Sequence, residues 1–342
     1  MRNRTYFIAD ISANHDGDFE RAKKLCLLAK NAGADAAKFQ HFKAETIVSD
    51  QGFKNLGGKI SHQSKWGKSV FEVYKDASVP LDWTPLLKKY CDEIEIDFFT
   101  TPYDLDYVDE LDQYVEMYKI GSGDITWIEM IKKIASKGKK VLIATGASEI
   151  EEVQRAMDIL SKYNVPVVLM QCNTNYTADD ENFKYINLNV LKTFAIMYPN
   201  IELGLSDHTI GDETVLGAIS LGASYIEKHF TDDNNRVGPD HPFSMNPNTW
   251  REMVDRARRL ELSLGSSIKK IEENEKETQV LQRRSIRLKS DKKLGEIINS
   301  EDIYFVRPCP PDALPIHVNP VGKKLIYSDL NKNDYLRTYD IK

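Results

Sequence analysis

Short apolar runs alternate with amphipathic stretches from the start of the chain. Residues 6–11 form a compact apolar run that predicts a strand. Residues 19–31 follow with Ala22, Leu25, Cys26 and Ala29 at helical spacing, and Gly33 supplies a helix stop. Further strands are predicted at 36–40, 98–101, 117–121, 141–145, 167–172, 202–205 and 225–228. Helices are predicted at 83–94, 105–114, 127–136, 149–163, 188–198, 212–221 and 248–264. Residues 42–80 interrupt the rhythm as a long polar insertion holding Gly57-Gly58, His62 and Trp66. Its aromatics Trp66, Phe71 and Tyr74 suit either a lid or ordinary loop packing. Eight strand–helix pairs within residues 1–265 have the size and order of a (β/α)8 TIM barrel, an α/β fold. A doubly wound sheet competes with it, but no GxGxxG follows the first strand.

The pattern changes after the barrel. Residues 266–280 are strongly charged and read as a helical linker. Residues 281–342 turn to short strands, at 285–288, 295–298, 303–307 and 321–325, with prolines at 308, 310, 311, 315 and 320. This predicts a small β-rich domain, too small for a large pocket of its own. Composition narrows the function classes. Net charge is −6 over 342 residues, which argues against a general nucleic-acid binder. No apolar run reaches the roughly 20 residues of a membrane span, and the opening residues predict no secretory leader. The four cysteines form no CxxC, so reduced thiols and a cytoplasmic setting are expected.

In such barrels the C-terminal ends of the strands carry the chemistry. Here every strand delivers polar groups to that rim. Lys38 and Lys119 matter most, because a lysine inside a barrel strand must be paired or neutral. The alternatives are a barrel carboxylate or an anionic substrate; two lysines with the hydroxyls around them favour a phosphate plus a carboxylate. His208 and His229 end the last two strands and could share a divalent metal, although spacing alone favours two ordinary polar rim groups. His15 and His41 have weaker cases. Asp10 needs a partner if buried. Asp240 follows Gly238-Pro239 on a loop, where solvation is the plain expectation. Cys172 has no base beside it in sequence and reads as inert packing.

Several strings occur in order along the barrel: Ile8-Ala9-Asp10-Ile11-Ser12-Ala13-Asn14-His15, Lys38-Phe39-Gln40, Tyr118-Lys119-Ile120-Gly121-Ser122-Gly123-Asp124, Leu205-Ser206-Asp207-His208-Thr209, Glu227-Lys228-His229-Phe230-Thr231 and Gly238-Pro239-Asp240. With these strings the chain resembles the sialic acid synthase family over nearly its whole length. The tail, from Arg283-Arg284-Ser285-Ile286 to Gly322-Lys323-Lys324, resembles that family's antifreeze-like (SAF) domain. The resemblance implies a transferase that condenses phosphoenolpyruvate with an N-acetylmannosamine-type sugar to a nine-carbon nonulosonate, with phosphate release. Legionaminic- or pseudaminic-type products from a 2,4-diacetamido-trideoxyhexose are the alternative.

The resemblance also implies residue roles. Phosphoenolpyruvate lies on Lys38, Lys119, Thr101, Ser122 and Ser206. His208 and His229 bind Mn²⁺, with Mg²⁺ or Co²⁺ as alternatives. Tyr176 and Asp240 contact the sugar, with Gln40 beside them. Asp10, Lys38, Lys119, His208 and His229 form the catalytic set. Arg307 is offered to the sugar across a homodimer by a swapped tail domain. The chain departs from the pattern at Asp10, where glutamate is common, at Thr174, where asparagine or serine is, and at Ala144, where serine is. A heptulosonate-type aldol synthase and a non-catalytic sugar-binding barrel are the rival readings. The paired histidines and the tail count against the first, and the retained lysines and histidines against the second.

Overall fold

A computed structural model describes residues 4–56, 63 and 66–342. Gly57, Gly58 and His62 of the insertion lie outside the described residues. The chain divides into two compact units, Met1–Gly265 and Ser266–Lys342.

In the first unit eight parallel strands close into a barrel in chain order. They are β1 (Tyr6–Asp10), β2 (Ala36–His41), β3 (Asp97–Pro102), β4 (Met117–Ile120), β5 (Lys140–Ala144), β6 (Val167–Cys172), β7 (Glu202–Asp207) and β8 (Tyr225–His229). The intervening helices are α1 (Phe19–Ala32), α5 (Trp83–Glu93), α6 (Leu105–Leu111), α7 (Ile128–Ala135), α8 (Ile150–Ser161), α9 (Val190–Met197) and α10 (Glu213–Ser220), with α11 (Pro247–Leu264) closing the ring. The predicted polar insertion holds three short helices, α2 (Ala44–Ile47), α3 (Asp50–Asn55) and α4 (Val70–Ala77). Local caps build α4: the Ser69 side chain accepts from Glu72 N–H while Glu72 returns a bond to the Ser69 backbone. Such short segments carry too little apolar periodicity to be read from pattern alone.

Strand and helix faces meet in one apolar core. Phe7, Phe39, Phe99, Tyr118, Met170 and Leu205 from the strands are buried with Leu25, Ile131, Ile134, Leu160 and Trp250 from the helices. Each large side chain so buried contributes about 1.5–3 kcal/mol against exposure. The sharp turn from α1 into β2 needs Gly33, at φ 99°. The last two barrel strands run further than their apolar patterns predict, because ladder pairing continues through Asp207 opposite Lys228 and through His229 opposite Asp10. Register therefore sets Asp10, Lys38 and His229 side by side across three strands.

His41 stands apart from that rim chemistry. It is wholly buried, with Nδ1 2.7 Å from Thr100 Oγ1 and Nε2 2.9 Å from Thr84 Oγ1. Burial lowers its pKa to about 3. The unfolded chain takes up this proton near pH 6.5, so the contribution to stability is complete above that pH and is lost as pH falls toward 3. The slope is about 1.4 kcal/mol per pH unit for this group. Urea unfolding between pH 6.5 and 5 is expected to show that loss, and His41→Gln to flatten it. An equal slope in the variant would contradict the assignment.

The second unit pairs β9 (Ser285–Leu288) antiparallel with β10 (Ile303–Val306) over a core of Ile286, Leu288, Ile298, Ile303, Leu314, Leu325, Leu330 and Leu336. The strands predicted at 295–298 and 321–325 reduce to isolated bridges, Ile297 with Lys324 and Leu325 with Ile341. Gly295 and Gly322, at φ 93° and 83°, turn the chain too soon for longer ladders. Helix α12 (Lys276–Gln282) forms only at the end of the predicted linker. Among the described residues no helix is long and apolar enough to cross a membrane.

Candidate active site

The C-terminal rim of the barrel surrounds a cavity of about 500 Å³. All of the sequence-predicted site residues line it except Thr174 and Arg307: Asp10, Lys38, Gln40, Thr101, Lys119, Ser122, Tyr176, Ser206, His208, His229 and Asp240. Thr174 sits on the loop after β6, where its methyl group packs over Gly146 so closely that a Cβ there would lie 2.6 Å away. Arg307 follows β10 in the second unit and is exposed.

The two lysines correct one expectation. Their charge is met by barrel carboxylates without any substrate. Lys38 Nζ donates to Asp10 Oδ2 at 2.7 Å, and Lys119 Nζ donates to Glu227 Oε1 at 2.8 Å. Glu227 also lies 3.8 Å from Lys38 and accepts from Ser206 Oγ at 2.9 Å. Burial alone would depress the Lys38 pKa, but Asp10 and Glu227 outweigh it and hold it raised. Burial would raise Glu227, and Lys119 and Lys38 hold it well below the usual carboxylate range. Glu227 is thus a site residue that the sequence reading passed over. Its strand neighbour His229 drew the attention, and a contact between β4 and β8 leaves no local signal.

Asp10 does more than pair with Lys38. Its Oδ2 accepts from Gln40 Nε2 at 3.0 Å, and its Oδ1 accepts from Ser12 N–H at 3.1 Å. Asp240 is not a solvated loop carboxylate. It accepts from Ser12 Oγ at 2.6 Å, and its side chain is 16% exposed. Burial would raise its pKa, but His229 and its hydrogen bonds hold it far below the usual range. Ser122 Oγ is fixed by the Gly146 N–H at 2.9 Å, and Thr101 Oγ1 lies 3.3 Å from Lys38 Nζ. Cys172 is buried with its sulfur 3.9 Å from His208 Nδ1. Burial would raise its thiol, and His208 turns the net shift downward.

The His208 and His229 rings are 5.4 Å apart between centroids, and the Tyr176 ring lies tilted 4.3 Å from His208. His208 Nδ1 sits 2.8 Å from the Asn173 carbonyl, which requires the proton on Nδ1, so that in the neutral ring Nε2 carries the lone pair. A backbone carbonyl holding the far nitrogen is the usual arrangement of a metal-ligating imidazole. His229 Nδ1 is buried without a hydrogen bond, 3.5 Å from Asp240. Among the described residues no cluster of three or more His, Cys, Asp or Glu forms a closed cation cage. Two imidazoles with open positions fit a Lewis-acid site rather than a structural one. Charge agrees: the lining carboxylates Asp10, Asp124, Glu227 and Asp240 outnumber Lys38 and Lys119, so a further cation would favour entry of an anionic substrate.

The remaining wall is carbon-rich. Phe42, Ile47, Trp66, Val73, Tyr74 and Tyr103 line it, the middle four from the insertion helices and the segment between them. Phe42 lies 5.5 Å from Tyr74 and 6.1 Å from Tyr103. Phe71 is not part of the lining.

A parallel barrel whose rim gathers two lysines, two imidazoles and four carboxylates around one cavity is the site of a barrel enzyme acting on a small anion. The chain belongs to the NeuB family, whose model matches residues 25–269. It is 35% identical over 326 residues to the N,N'-diacetyllegionaminic acid synthase of Legionella pneumophila, covering 94% of this chain and 90% of that one. It is 29% identical to the human N-acetylneuraminate-9-phosphate synthase, covering 94% of this chain and 88% of that one. The crystal structure of the sialic acid synthetase from Leptospira borgpetersenii, in complex with citrate, matches with a TM-score of 0.70 at 28% identity, covering 81% of this chain and 90% of that one.

Proposed function

We propose that this cavity condenses phosphoenolpyruvate with an open-chain N-acetylmannosamine-type sugar to a nine-carbon, sialic-acid-like nonulosonate and free phosphate. The observation that carries it is the convergence of Lys38, Lys119, His208 and His229 with Asp10 and Asp240 on one rim. Lys38 and Lys119 hold the phosphate and carboxylate of the enol phosphate, with Thr101, Ser122 and Ser206 supplying hydroxyl groups. C3 of the enol phosphate attacks the sugar aldehyde carbon, water adds at C2, and phosphate leaves with cleavage of its C–O bond. A divalent cation held by His208 and His229, Mn²⁺ first and Mg²⁺ or Co²⁺ as alternatives, supplies polarisation of the aldehyde oxygen when bound. Asp10 and Asp240 accept hydrogen bonds from the sugar or from the water, and Tyr176 and Gln40 complete the acceptor side.

The carbon-rich wall favours a second acceptor, a 2,4-diacetamido-trideoxyhexose. Its two acetyl methyl groups and C6 methyl would each gain about 0.8 kcal/mol on burial against that wall. The legionaminic and pseudaminic acid synthases among the relatives support the same class. By the family resemblance, the second unit is an antifreeze-like domain that serves the partner's barrel in a homodimer through Arg307. The four free cysteines support a reducing, cytoplasmic setting for the enzyme.

One assay tests the reading: phosphate release from phosphoenolpyruvate over a panel of sugars, with products identified by mass spectrometry. Release is expected to need both Mn²⁺ and an amino sugar, and Arg307→Ala to raise the sugar's KM more than that of phosphoenolpyruvate. Turnover with an aldose phosphate instead, or with no acceptor at all, would overturn it.

A further inference from the structure

Asp16 and His241 take no part in the chemistry described above and do not line the cavity. They are nonetheless joined to it by a short chain of contacts. His241 follows Asp240 directly, and its ring is wholly buried. Nδ1 lies 2.7 Å from Thr231 Oγ1, and Nε2 lies 3.0 Å from Asp16 Oδ1. Asp16 is in turn gripped on Oδ2 by Arg236, at 2.7 and 2.8 Å, and by Arg21 at 3.1 Å. Arg21 also holds the Asn14 carbonyl at 2.8 Å and Asp232 at 2.6 Å. One imidazole thus ties both ends of the loop after β8 to the loop after β1.

The backbone is shaped around that ring. Asp16 and Gly17 adopt φ 53° and 71°. A Cβ on Gly238 would lie 2.6 Å from His241 Cδ2, so only glycine lets the loop pass over the ring. The two tied loops carry the groups that must meet inside the cavity. Ser12, from the first, donates to the Asp240 carboxylate, from the second, at 2.6 Å. Asp240 then stands 3.5 Å from His229 Nδ1.

We propose that Asp16 and His241 are positioning residues that act through Asp240, fixing its carboxylate against Ser12 and His229. The proposal rests on the reading of this cavity as the reacting site. A shift of 1 Å in a reacting group costs on the order of 100-fold in rate, which sets the expected size. The relevant link is the N–H directed at Asp16. Glutamine at position 241 carries an N–H to the reach of Nε2, whereas asparagine carries one only to the reach of Nδ1.

The test compares Asp16→Ala, His241→Gln and His241→Asn in the full-length protein. Asp16→Ala and His241→Asn are expected to lower kcat on the order of 100-fold while the KM for phosphoenolpyruvate moves less than about threefold. His241→Gln is expected to retain most of kcat. In an Asp240→Asn background, Asp16→Ala should add less than about threefold, because the two act through one carboxylate. Crystal structures of the variants should show the Ser12–Asp240 contact opened in Asp16→Ala and His241→Asn and kept in His241→Gln. Equal kcat for His241→Gln and His241→Asn, or full additivity with Asp240→Asn, would overturn the proposal. If Asp16→Ala does not fold, the contrast between the two His241 variants decides. Absence of turnover in the unmutated protein would count against the proposed reaction, and the Ser12–Asp240 distance in the variants would still settle the positioning role.

Discussion

His229→Ala is expected to lose turnover on the order of 1,000-fold while remaining folded, because it removes one of two imidazoles able to place a cation beside the acceptor carbonyl. The remaining ring, His208, keeps its bond to the Asn173 carbonyl and its tilted ring contact with Tyr176, so the rim itself does not collapse. Asp10 keeps Lys38, Gln40 and the Ser12 N–H as partners, so its carboxylate is not stranded. Asp240 keeps Ser12 and the Ala13 N–H. The stability cost is therefore that of one buried polar ring, about 1–3 kcal/mol. Three measurements check this: phosphate release with and without Mn²⁺, Mn²⁺ affinity by calorimetry, and the melting temperature. Activity within tenfold of the parent protein at saturating Mn²⁺ would remove His229 from the metal set.

The barrel was legible because each strand is a short apolar run closed by polar residues or glycine, and that rhythm survives folding unchanged. The rim residues were legible for the same reason. Once a strand's end is located, the barrel's geometry says where its last side chains point. What escaped was contact between distant strands. No local pattern shows that Lys119 on β4 meets Glu227 on β8, yet that contact decides whether the lysine awaits a substrate or already has a partner. Asp240 escaped as a residue in its own right for a related reason. A loop aspartate after glycine and proline looks solvated until the β1 loop folds over it with Ser12. The short helices α3 and α4 depend on side-chain caps, and α2 spans a single turn, so none carries a readable periodicity and the insertion read as loop.

Glu227→Ala should be among the most destabilising single changes in the barrel and should tighten binding of phosphoenolpyruvate at the same time. Its carboxylate is 5% exposed and is the sole anionic partner of Lys119 among the described residues. Removing it leaves two ammonium groups with only Asp10 between them. Breaking a buried pair from one side costs about 3–5 kcal/mol, because the surviving charge is uncompensated. In a unit of this size that corresponds to a fall in melting temperature of roughly 10 °C. The same two ammonium groups are where the enol phosphate is proposed to sit. In the parent protein the substrate must compete with Glu227 for Lys119; in the variant it meets no competitor. Phosphoenolpyruvate, and to a lesser degree inorganic phosphate, should therefore restore much of the lost melting temperature, and its dissociation constant should fall. The kcat should fall too, since product phosphate now leaves a Lys119 that has no other anionic partner, while Lys38 keeps Asp10. Thermal unfolding with and without ligand, together with calorimetry, separates these effects. A variant as stable as the parent would mean that water solvates Lys119 adequately. A weaker hold on phosphoenolpyruvate would mean that Glu227 organises the lysines for the substrate rather than competing with it.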